Sequence, residues 1–536
     1  LRLGIAVAVL VLAGCKNKGA EDPKIEISGS RVSLNKVMRG EAGVGSLGVK
    51  LVGGIGIDLR ATSDGQHLTW LQDAEKPRIE GLPPPMRVGV LWTVASKGSD
   101  ARKLGNGVTN MPGGYLFSPD GRWVLLLAGY SAAEQSGELR VADLADASAA
   151  PERVGGRVTY MLASPDSKQL AFVDDGVLRA GPLPKGPFHE VAGQVATAEF
   201  SPDSSTVYFR RRVANAGGLY QVKLADAGKP PRKLADQVGD FRLTPDGKTI
   251  AYAARPSAGS PSYELFIADT TTLKAKNLAR NVINFRFSPD GKLIAHNEGL
   301  SPEDPGDLYV ADHASATEPK PLGAKVKDFQ FSPDSKSVAF RENYNDNEGD
   351  LAVAVIGSDA AAKKISRRVR SYSWSDDNLK IAFTIRVVKP ITSVDLVVWR
   401  VGDEEATKIK QWVYDYDFTP QSDRLLFRTD CSREGKSCDL LSLDLADLKV
   451  PPKKLVEAMS AFKVSESGQR VLITYSRAQT GDFYDVAVLN LKSNERKTLE
   501  QFIRLPAMFL DKEGGKVGYV VAEQNKSGVY VADQVP

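Results

Sequence analysis

A turn of the Ser-Pro-Asp-Gly kind returns along this chain about every 44 residues. Clear copies are FSPDG at 117–121, ASPDS at 163–167, FSPDS at 200–204, LTPDG at 243–247, FSPDG at 287–291 and FSPDS at 331–335. Weaker copies at 61–65, 374–378, 418–422, 464–468 and 510–514 bring the series to eleven. A period of this length, sustained over a whole chain, is the mark of a repeat architecture.

The repeat between 281 and 323 shows what the unit is. INFRFS (283–288), KLIAHNEG (292–299) and DLYVADH (307–313) alternate apolar and polar residues, and PKPLGA (319–324) is a weaker fourth run. Alternation bounded by Gly, Pro, Asp and Ser is a strand signal. Four strands with no helix-length run between them make a β-meander, and a repeated four-stranded meander is a propeller blade. The expected fold class is therefore all-β, with tandem β-propellers built from about eleven four-stranded blades in two rings of five to six.

The motif is turn chemistry. Pro sets φ near −65°, Asp bonds the local backbone, and Gly accepts a positive φ at the last position, where Ser or Asn can replace it. The recurring Asp120, Asp166, Asp203, Asp246, Asp290 and Asp334 invite a metal or acid–base reading. Each sits at the same strand-to-strand turn, so they should be spread around a rim as structural turn residues, not gathered at one site.

The final repeat stops after GVYVADQ (528–534) without a fourth strand. An unpaired edge is a liability, and propellers commonly close by borrowing a strand. In the preferred closure, AKNLAR (275–280) is borrowed. The first propeller is then 24–274, closed by KIEISGSRVSLN (24–35), and the second, of six blades, is 275–536. In the alternative, the N-terminal strand completes the last repeat and the rings are interlocked or divided elsewhere.

The chain opens LRLGIAVAVLVLAGC. One Arg followed by an apolar run too short to span a bilayer is a secretory signal pattern. Its ending Leu12-Ala13-Gly14-Cys15 resembles a bacterial lipobox. The expected organisation is a signal peptide over 1–14, lipidation at Cys15, and a tether over 15–23. Lys16 after the lipidated Cys leans towards the outer membrane, facing the periplasm, with surface exposure left open. Cys431 and Cys438 flank a hairpin loop, and in an oxidising compartment they are expected to form a disulfide.

Net charge is +4 with acidic and basic residues nearly balanced, so nucleic acid is not an expected partner. Arg210-Arg211-Arg212 and Arg367-Arg368 with Arg370 form small basic clusters near strand ends. The four histidines, His67, His189, His296 and His313, share no metal-ligand spacing. No Gly-x-Ser-x-Gly elbow, P-loop or Rossmann glycine pattern occurs. NYNDNEGD (343–350) is dense in Asn and Asp but lacks the glycine and glutamate of a calcium loop. No catalytic residue, metal site or cofactor is expected.

The repeat F-S-P-D-G-K-x-(I/L/V)-A-(F/Y/H) followed by D-L-Y-V-A-D, best at 287–312, 243–269 and 331–351, resembles the blades of TolB and its WD-like relatives. The resemblance covers the chain from about residue 57 and is specific for the blade. TolB is soluble in the periplasm and carries an α/β domain before one six-bladed ring, whereas this chain has a lipobox, no such domain and about twice the blades. The resemblance implies an envelope lipoprotein that binds an envelope protein or peptide as a non-catalytic scaffold. A carbohydrate-active propeller, a polysaccharide lyase or hydrolase, is the alternative.

Overall fold

In a computed structural model, the described residues are 48–53, 56–75, 86–98, 101–211, 217–257, 259–299, 301, 305–315, 318–388, 393–432, 437–476, 483–523 and 525–533. Their regular structure is strand apart from one 3-10 turn at Leu224–Asp226. No helix among them is long and apolar enough to cross a membrane. The chain is an all-β protein of the propeller class.

The strands form five four-stranded sheets and three seven-stranded ones, all in sequential antiparallel order apart from one strand at the N-terminus. Each seven-stranded sheet is two four-stranded units sharing one long strand. Glu152–Ala163 pairs through 152–158 with the strand before it and through 158–163 with the strand after it. Lys363–Trp374 turns over in the same way at Val369, and Arg496–Phe509 at Ile503. All three pivots are fully buried. We number the units from the N-terminus, beginning with Gly56–Ala61, His67–Glu75, Val88–Ala95 and Arg102–Thr109 as unit one.

Position within a unit decides composition. The inner strand alternates, as in Val282–Phe287, where Val282 and Phe285 are buried and Asn284 and Arg286 exposed. The second strand is covered on both faces by neighbouring units and reads as a continuous apolar run, as in Gln169–Asp174. Outer strands such as Ala275–Ala279 are mostly exposed. Apolar clusters fill the spaces between successive units, and fully buried Phe172, Phe209, Phe340, Phe383 and Phe427 contribute about 1.5–3 kcal/mol each by burial.

The cluster formed by Leu59, Leu68, Trp70 and Val94 with Leu510, Val520, Val529 and Val531 packs unit one against the last unit. The missing outer strand of that last unit is Val49–Gly53, which pairs antiparallel with Gly528–Ala532. The preferred closure is thereby corrected. Ala275–Ala279 is not borrowed but pairs with Glu264–Asp269 in its own sheet. A continuous cluster joins Ala251, Leu265 and Ala279 to Val282, Phe285 and Ile294 across the expected boundary at 274/275. Gly45–Pro536 form one compact unit, where two propellers, 24–274 and 275–536, were expected. The segments 1–14, 15–23 and 24–35, with Cys15, lie outside the described residues.

Candidate functional site

The motif Asp residues bond their own turns. Ser118 Oγ donates to Asp120 Oδ1 at 2.5 Å, the Arg122 N–H donates to the same oxygen at 3.0 Å, and Ser118 Oγ accepts from the Trp123 N–H at 2.9 Å. The same hydroxyl-to-carboxylate bond, at 2.5–2.7 Å, holds Asp166, Asp203, Asp246, Asp290 and Asp334. The Ser201, Thr244 and Ser332 hydroxyls hold the carboxyls of Asp203, Asp246 and Asp334 below the usual carboxylate range. These carboxylates stand on successive units and do not converge. Among the described residues no group of three His, Cys, Asp or Glu side chains is placed to hold a metal ion.

The last turn position carries a link that sequence reasoning missed. All eleven residues there, from Gly65 to Gly514, have φ between +57° and +77°. Where the residue is Ser or Asn, its side chain accepts from the backbone of the preceding turn. Ser167 takes the Asp120 N–H at 3.0 Å, Ser204 that of Asp166 at 3.0 Å, and Ser335 that of Asp290 at 3.0 Å. Asn378 takes Asp334 at 2.8 Å, and Ser422 takes Asp377 at 3.2 Å. At Gly291 the preceding turn comes too close for a side chain: a Cβ there would lie 2.8 Å from Pro245 Cδ. A Cβ on Gly65 would lie 1.6 Å from the Leu510 carbonyl oxygen, so the first turn rests on the last.

Cys431 and Cys438 are joined by a disulfide with their Cα atoms 4.0 Å apart. The histidines are scattered. His296 is fully buried, stacked on Tyr309 and 3.1 Å from Glu298, while His313 lies 2.6 Å from the Gly291 carbonyl oxygen. Burial pushes the His67 imidazole down, and His189 is exposed on an outer strand. In the Asn/Asp-rich hairpin, the nearly buried Glu348 carboxylate is paired with Arg368 at 3.1 Å and Arg386 at 3.4 Å. One member of the second basic cluster is therefore neutralised within the fold.

A second recurring feature is a cleft between the inner strands of neighbouring units. It is best seen nine residues after the motif Ser or Thr, at a second-strand position facing the next unit. In unit four this is Arg210, which donates to Thr197 Oγ1 at 3.2 Å and to the Val238 and Gly239 carbonyls of unit five. In unit seven it is Arg341, bonded to Asp328 and to the Val369 and Arg370 carbonyls of unit eight. In unit nine it is Arg428, bonded to Asp415 at 2.8 Å and to the Ser460 carbonyl. Asn297 of unit six donates to the Val326 carbonyl at 2.8 Å. Arg210 is thus a cleft plug, although in sequence it reads as part of a surface cluster.

In unit five the same position is Ala253, opposite Asp240. A cavity of about 220 Å³ opens there, lined by Gly239, Asp240, Ala253, Tyr263, Ile283 and Asn284 among others. Asp240 is paired at 2.8 Å with Arg242, both side chains half exposed.

No family model matches the chain, and no curated protein matches it. Solved structures match the chain only at low identity. The chain is similar to a crystal structure titled as the eukaryotic initiation factor at 12% identity, covering 68% of this chain and 94% of that one, with a TM-score of 0.41. It is similar to an oligogalacturonate lyase in complex with manganese at 17% identity, covering 56% and 88%, with a TM-score of 0.31. It is also similar to the tricorn protease at 12% identity, covering 90% and 61%, with a TM-score of 0.26. At these values no activity transfers to this chain.

Proposed function

We propose that the four-stranded units make a single closed ring of eleven TolB-like blades, acting as a non-catalytic protein-binding scaffold of the bacterial cell envelope and held to a membrane by lipid on Cys15. The observation that carries this reading is the deployment of polar groups. They recur along the units, committed to turns and, in units four, six, seven and nine, to the clefts between inner strands, and among the described residues no three His, Cys, Asp or Glu side chains are placed to hold a metal ion. Inner strands still expose alternate polar residues such as Asn284, Arg286 and Gln330, a surface suited to a polypeptide partner.

Affinity capture from detergent-solubilised envelopes tests the scaffold. A stoichiometric envelope protein is the expected result. Absence of such a protein, together with saturable binding of a defined polysaccharide, overturns it in favour of a carbohydrate-active propeller. For the anchor, Cys15→Ala should release the protein from membranes; a variant that still sediments with them contradicts lipid anchoring.

A further inference from the structure

We propose that the cavity between units five and six is a receptor for an arginine side chain of a peptide partner. The inference deepens the scaffold reading by naming the side chain recognised. Its basis is internal comparison. In units four, seven and nine the equivalent space is occupied by the protein's own Arg210, Arg341 or Arg428, each anchored on its own inner strand and on a carbonyl of the next.

Unit five keeps the surroundings and drops the arginine. Asp240 stands where Asp328 and Asp415 stand, directly opposite the second-strand residue. Ile283, on the next inner strand, occupies the place of Gly239 and Arg370, whose carbonyls accept from Arg210 and Arg341. At the plug position Ala253 leaves about 220 Å³ in place of the arginine.

A tyrosine ring borders the cavity too, from a different position in the unit. Arg341 lies over the rings of Tyr344 and Tyr372 at 5.1 and 5.9 Å, and Arg428 over Tyr414 at 4.7 Å. The cavity has Tyr263, whose ring already takes the Arg255 guanidinium at 5.0 Å. A planar guanidinium can meet a carboxylate, a carbonyl and a ring face together, which a lysine ammonium does not. Asp240 Oδ1 is engaged by Arg242, but that pair is solvent-exposed and weak, so it does not bar a second guanidinium.

The test is calorimetry on the full chain with millimolar N-acetyl-Gly-Arg-Gly-amide, set against the citrulline and lysine analogues. The arginine peptide should bind at least tenfold more tightly than either. Ala253→Arg should abolish that binding and raise the thermal midpoint, because the chain then supplies its own plug. Asp240→Asn, on an exposed side chain, should weaken binding at least tenfold and covers the case in which Ala253→Arg does not fold. Equal binding of the arginine and citrulline peptides, or undiminished binding by Asp240→Asn, overturns the proposal. So does capture of the envelope partner by Ala253→Arg as efficiently as by wild type, a result that leaves the scaffold reading standing. Arginine-selective binding without any envelope partner removes the scaffold reading and leaves the receptor.

Discussion

The hydroxyl of Ser167 accepts a hydrogen bond from the backbone N–H of Asp120 at 3.0 Å, fastening the turn of one unit to that of the next. The residue has φ of +61°, so one side chain meets two demands, a left-handed backbone and an acceptor for the neighbouring turn. Ser167→Ala loses the acceptor and keeps an unfavourable φ. It should cost about 1–2 kcal/mol in denaturant unfolding. Ser167→Asn, copying the Asn378 arrangement, should stay within about 0.5 kcal/mol of wild type, near the few tenths expected of a neutral change.

Gly65 and Gly113 make a matched pair of tests. Both have positive φ, +65° and +87°, but a Cβ on Gly65 meets the Leu510 backbone at 1.6 Å while one on Gly113 meets nothing within 4 Å. Gly113→Ala should cost about 1–2 kcal/mol, the backbone strain alone. Gly65→Ala should cost roughly 3 kcal/mol or more, since backbone must also move. Equal losses in urea midpoint would mean that the first and last turns do not touch.

Acid should weaken the turns. The Asp203, Asp246 and Asp334 carboxyls lie below their ordinary range, with the Ser201, Thr244 and Ser332 hydroxyl bonds the leading cause. Their unfolded values are about 3.9, so the folded state binds protons less readily. The stability they add is present above that value and lost as pH falls through the folded pKa values. Urea midpoints measured from pH 6 to pH 2.5 should fall below about pH 4, and Asp203→Asn should make that fall shallower.

The Cys431–Cys438 bond closes a short loop, with a sequence separation of 7. Replacing both by Ser should destabilise the protein by about 2–3 kcal/mol on loop-entropy grounds. Thermal unfolding of the oxidised, reduced and double-Ser forms checks it, and the last two should agree.

Local chemistry was the legible part of the sequence. Pro119, Asp120 and Gly121 write the turn where they stand, and alternation such as INFRFS writes the strands beside it, so the propeller class followed from residues close together in the chain. Closure depends on Val49–Gly53 meeting Gly528–Ala532. VKLVG carries no stronger strand signal than KIEISGSRVSLN, so the choice between them rests on contacts almost a chain length apart. The links of Ser167 and Ser204 were hidden because Ser is already an acceptable turn residue. The cleft plugs were hidden differently. YFRR, AFRE and LFRT align nine residues past each motif against AYAA, a signal present in the sequence but visible only once the register is known.

Ring closure is tested most directly by a cysteine pair, Val49→Cys with Val531→Cys, in a Cys15→Ala background. These positions are antiparallel partners, Val49 opposite Val531. Mild oxidation should give an intramolecular disulfide joining the N-terminal and C-terminal proteolytic peptides in the folded monomer. Failure of that pair to form, with cross-linking of Lys276→Cys to Val531→Cys instead, would contradict the closed ring and restore two separate propellers.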